Sequence, residues 1–137
     1  MRFFQEISPL QEHWISLETR LAGIESVREK FDWRSFERDA ARVLQEHNTL
    51  LQHFAEDAKK LDARNDAALK QAFIYVDSLS RCINKLVSII GRLAKMSRDP
   101  NSWTAREYLS DLEAYDKLKE EYKTEGALLN ALLAEQK

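Results

Sequence analysis

The segment Arg42-Val43-Leu44-Gln45-Glu46-His47 sets a guanidinium and an imidazole five positions apart, in a chain with only three histidines. An imidazole titrates near neutrality and can move a proton, and a guanidinium can hold phosphate charge, so the pair has the parts for phosphodiester chemistry. A structural assignment competes with it. His47 falls in an apolar repeat with Val43, Leu50 and Phe54, where a polar side chain fixes helix register or hydrogen-bonds across a bundle. Metal chemistry has less to stand on. Carboxylate-bridged sites use Glu-x-x-His pairs, yet the residues three before His13, His47 and His53 are Leu10, Leu44 and Leu50. Glu12-His13 and Glu46-His47 are adjacent, which points their side chains apart on a helix. No metal or other cofactor is expected. Cys82 stands at heptad spacing between Leu79 and Leu86, so it reads as a small buried apolar residue and not as a nucleophile. Phosphate-binding glycine loops, Gly-x-Ser-x-Gly elbows and Cys-x-x-Cys pairs do not occur.

The Arg42 to His47 spacing resembles the R-x4-H signature of HEPN-type ribonucleases, which are small helical bundles that commonly dimerise. The resemblance covers six residues. It implies a metal-independent ribonuclease in which His47 transfers a proton and Arg42 meets the phosphate. This is the alternative to a non-enzymatic reading, and the non-enzymatic reading is the one preferred.

The elements that would carry these residues are all helical. Three glycines and two prolines in 137 residues leave little turn chemistry. Ala68, Ala72, Tyr75, Leu79, Cys82, Leu86, Ile89, Leu93 and Met96 form an unbroken heptad seam between Asp66 and Pro100. Beside it runs a second apolar stripe of Leu69, Phe73, Val76, Ile83, Val87, Ile90 and Ala94, broken only by Ser80. An apolar arc of roughly 160° needs more than one neighbour to cover it. Helices are expected over 9–30, 33–61, 67–97 and 103–133, the first opened by Ser8 and Pro9, the second by Asp32, the third by Asn65 or Asp66, the fourth by Asn101 or Ser102. Gly126 is expected to kink or fray the last one. The chain therefore predicts one all-α domain spanning 1–137, an elongated up-down-up-down four-helix bundle with heptad-like seams. Helical hairpins assembled through oligomerisation are the competitor.

Composition narrows the partners. A net charge of −2 argues against a dedicated nucleic-acid binder, although Arg81, Lys85, Arg92 and Lys95 share one helix face and give nucleic acid a secondary possibility. A single cysteine fits a reducing cytoplasm, and no run approaches the eighteen or so apolar residues of a membrane span. The expected function is a protein-protein interaction module of the adaptor, chaperone or immunity type, self-associating as a homodimer or binding another protein. Its contact residues are expected among Phe73, Val76, Ile83, Val87, Ile90, Tyr108, Tyr115, Tyr122, Leu129 and Leu133. Tyrosines seven apart make one stripe, and tyrosine suits a surface that is sometimes wet and sometimes covered.

Overall fold

The computed structural model describes residues 2–24, 31–61, 66–102 and 104–135. Four helices follow in order: α1 (Phe3–Ala22), α2 (Trp33–Ala58), α3 (Ala67–Arg98) and α4 (Ala105–Glu135). No strand occurs among the described residues. Paired residues establish the directions. Glu6, His13 and Arg20 of α1 meet His53, Glu46 and Asp39 of α2, so residue numbers climb on one helix as they fall on the other. The same opposition holds where Phe73 and Ser80 meet Phe54 and His47, and where Gln71, Tyr75 and Lys85 meet Glu125, Tyr122 and Asp111. Consecutive helices are thus antiparallel, as an up-down-up-down bundle requires. At 1.5 Å per residue α3 is roughly 48 Å long.

Capping explains most of the boundaries. Asp32 accepts the Ser35 amide at 3.0 Å and Asp66 accepts the Leu69 amide at 3.0 Å, each satisfying an amide that the first turn leaves without a partner. Pro100 disfavours helical geometry at the residue before it, and Asp99 is extended. Two expectations need correction. The first helix begins at Phe3, so Ser8 and Pro9 lie inside it. Proline there cannot donate to the carbonyl four residues earlier. Burial of Phe3 and Ile7, with the Arg2 guanidinium and amide held on Asp57 at 3.0 and 3.1 Å, keeps the extra turns helical. The fourth helix is capped by Thr104, whose hydroxyl accepts the Glu107 amide at 3.1 Å, and not by Asn101 or Ser102. The helix runs on through Gly126 to Glu135 without fraying there. The expected end of the first helix, over 25–30, lies outside the described residues, as do Asn65 and Trp103.

The core lies along α3, between α2 and α4. Leu79, Cys82, Ile83, Leu86, Ile89 and Ile90 are almost completely buried, which accounts for the wide apolar arc of this helix. Leu61, where the second helix was expected to end, is exposed, because α2 stops at Ala58 and Leu61 stands beyond its last turn. The backbones of α1 and α4 approach less closely than those of consecutive helices, and long side chains close the gap. Trp14 Nε1 donates to the Tyr115 hydroxyl at 2.7 Å, which donates to Glu18 at 2.9 Å, and Lys119 also reaches Glu18 at 2.7 Å. One helical turn away Gln11 donates to the Tyr122 hydroxyl at 2.6 Å, and Tyr122 stacks on Tyr75. Gly126 belongs to this contact. A Cβ there would stand 3.0 Å from the Tyr75 ring, so the missing side chain lets α4 close on α3.

Candidate functional site

The α2 helix brings Arg42 and His47 onto different faces, because five residues turn a helix by roughly 140°. Arg42 is exposed in a groove between α1 and α2, lined also by Glu6, Pro9, His13, Gln45 and Glu46. His47 points the other way and is only 1% exposed, with Nε2 2.9 Å from the Ser80 hydroxyl of α3. Its Nδ1 has no hydrogen-bond partner. Burial holds the imidazole below its ordinary protonation range, since a charged ring would lose its hydration. A residue that passes protons to a substrate has to touch it. This geometry gives the nuclease alternative no support.

The other titratable groups also read as structural. Cys82 is fully buried, and burial, with the negative charges of Glu121 and Glu18 adding to it, pushes its thiol up to about 12. A thiolate nucleophile is disfavoured there. Tyr115 is likewise pushed above its usual range by burial first and the Glu18 charge second. Among the described residues no group of three or more His, Cys, Asp or Glu side chains could hold a metal ion. No described helix is long and apolar enough to cross a membrane. On the basic face of α3, Arg81 pairs with Asp77, while Lys85 and Arg92 share Asp111 of α4 and hold its carboxyl below the usual range, with the Lys85 hydrogen bond the larger cause. Three of the four cations of that stripe are therefore already paired within the chain.

The ten residues expected to meet a partner divide sharply. Val76, Ile83, Ile90, Tyr115, Tyr122 and Leu129 are buried within the chain, and Val87, Tyr108 and Leu133 are half-buried against the same core. Periodicity marks a face as apolar but does not say which apolar neighbour covers it, and here that neighbour is another helix of the same chain. Phe73 alone of the ten remains substantially exposed.

Around Phe73 the structure gathers apolar residues from all four helices or their ends. Phe4, Leu61, Phe73, Ile74 and Leu128 are each between 40% and 50% exposed, and all stand toward the end of the bundle where α1 and α3 begin and α2 and α4 finish. Phe4 and Leu61 frame a shallow depression floored by Ala68, Leu69, Ala72 and Leu133. Ile74 carried a legible signal, since it belongs to neither stripe of its helix. Phe4 and Leu128 adjoin Phe3 and Leu129, which are buried within the chain, and Leu61 stands beyond the last turn of α2.

A second pattern lies in the spacing of the charged residues of α1 and α2. Glu6, His13 and Arg20 are seven apart, as are Asp39, Glu46 and His53, and the antiparallel pairing turns these series into three rungs at 2.7, 2.8 and 2.6 Å. Side chains seven apart return to the same helix face, so each series lines the α1–α2 seam. Comparison with protein-family models, with curated proteins and with solved structures found no match.

Proposed function

We propose that this protein is a non-enzymatic helical interaction module that self-associates through the apolar end of its bundle. One observation carries the reading: five of the seven large apolar side chains exposed among the described residues stand at that end. Apolar side chains scattered singly over a surface need no explanation, whereas several gathered at one end of a molecule suit an interface. Burying such a side chain contributes about 1.5–3 kcal/mol before the costs of association, so a handful is enough for a stable contact. A second copy supplies the same surface, and a closed pair arises when the patch meets itself. Another helical protein is the remaining candidate partner. The lone, fully buried thiol of Cys82 suits the reducing cytoplasm expected from the sequence.

Sedimentation velocity of the chain over a wide concentration range tests this. The expected result is a dimer that the double substitution Phe73→Asp and Ile74→Asp converts to a folded monomer. A wild-type chain that stays monomeric at the highest concentration overturns the self-association claim.

A further inference from the structure

His47 is the only described buried side chain with a nitrogen or oxygen atom left without a hydrogen-bond partner. Its surroundings decide where the ring proton sits. The Ser80 hydroxyl has a single hydrogen and lies 3.1 Å from the Val76 carbonyl four residues earlier, which accepts it. Ser80 Oγ is then an acceptor toward His47, so Nε2 carries the ring proton and donates across the α2–α3 seam at 2.9 Å. Nδ1 is left as a bare lone pair. The opposite tautomer would bury an N–H with no acceptor, the costlier arrangement.

A ring in this state has no place for a second proton. Protonating the ring would bury a cation with no counter-charge; the Asn48 side chain beside it favours the protonated form, but by less than burial opposes it. The charged groups of the packed elements are committed elsewhere. Glu6, His13 and Arg20 of α1 meet the opposite edge of α2, at His53, Glu46 and Asp39. On α2 itself, Arg42 and Glu46 line the α1 groove. On α3, Asp77 and Arg81 pair with each other in solvent, and Lys85 turns to Asp111. Among the described residues no carboxylate is in position to receive a protonated His47.

We propose that His47 and Ser80 form an acid-sensitive latch between α2 and α3, closed while the imidazole is neutral and forced open when it takes up a second proton. Opening lets His47 reach water and separates the helices where Val76 and Ile83 are buried. The sign follows from which state binds the proton more tightly. In the unfolded chain the ring protonates at about pH 6.5, and in the folded chain it resists. The latch therefore contributes its full stability above that pH, and the contribution shrinks as the medium becomes more acidic. One proton taken up on unfolding lowers the folded-to-unfolded ratio by at most roughly tenfold per pH unit.

Urea unfolding of the full chain at pH 7.5, 6.5, 5.5 and 5.0, beside the His47→Gln variant, tests the latch. Glutamine can still donate an N–H toward Ser80 but takes up no proton in this range. His13, His53 and every carboxylate are common to both chains, so the difference between the two pH profiles isolates His47. The expected result is that wild type loses stability relative to His47→Gln by about tenfold in the folding ratio between pH 6.5 and 5.0. Parallel profiles overturn the proposal. Should His47→Gln fail to fold, imidazole nitrogen shifts of the wild-type chain decide instead. A folded-state ring that remains the neutral Nε2–H tautomer down to pH 5.5 supports the latch, and a folded-state ring that titrates near pH 6.5 overturns it.

Discussion

Along its α1-facing edge α2 offers Asp39, Glu46 and His53 to charged partners in contact with water, whereas one residue past Glu46 its α3-facing edge buries His47 against a serine. Both edges use polar contacts at similar distances. They differ in what happens when a contact is broken. On the wet edge each freed group is solvated again, so a rung is worth little. On the dry edge a freed group stays buried, and its unmet hydrogen bond costs more than the bond contributed. The His13–Glu46 and His53–Glu6 rungs are charged on both sides only when the imidazole is protonated, while protonation of His47 would bury a charge.

The largest effect that separates the two edges is expected from Phe54→Ala. This ring meets Phe3 and Phe73 edge-on and is almost fully buried. Its removal should cost about 3–5 kcal/mol in urea unfolding. A cost below 1 kcal/mol would mean that the dry edge is not packed as described. Ser80→Ala comes next, at about 1–3 kcal/mol, because it leaves the His47 N–H buried and unpaired. Equality with an exposed serine substitution such as Ser88→Ala would erase the contrast between the edges.

Gly126→Ala sets two terms against each other. Alanine favours a helix interior by about 1 kcal/mol, but its methyl would press on Tyr75, which is held by its stack and hydrogen bond with Tyr122. The expected outcome is a lower melting temperature, and a higher one would show that the Tyr75 ring can give way. The smallest effect belongs to the wet edge. A double-mutant cycle on Arg20→Ala and Asp39→Ala should yield a coupling of about 0–1 kcal/mol that shrinks in 1 M salt. The Arg20 hydrogen bond holds the Asp39 carboxyl below its usual range. Its contribution is therefore complete above about pH 4 and lost as the pH falls further. A stability gain for Asp39→Ala at pH 7 would contradict this pairing.

Much of the fold could be read in advance. Asp32 and Asp66 cap the helices they were expected to cap, and the heptad seam of α3 is the buried spine of the bundle. The start of α1 was hidden because proline signals a first turn locally, and only the packing of Phe3 and Ile7 shows that two more turns precede it. The candidate interface was legible mainly at Phe73. Its companions Phe4, Leu61 and Leu128 come from three other helices or their ends, and they gather only when antiparallel packing brings those ends together.

The two polar exceptions in the apolar pattern show the division most plainly. The sequence by itself determined that His47 interrupts the α2 seam and that Ser80 interrupts the second stripe of α3, because helical periodicity is a local property of spacing. It also determined four amphipathic helices with short connections. Only the tertiary structure decided that the two interruptions answer each other at 2.9 Å. It decided too that most of the tyrosine stripe faces inward and that the apolar remainder collects at one end. Register between helices depends on the side chains of both partners at once, and no single stretch of the chain contains that information.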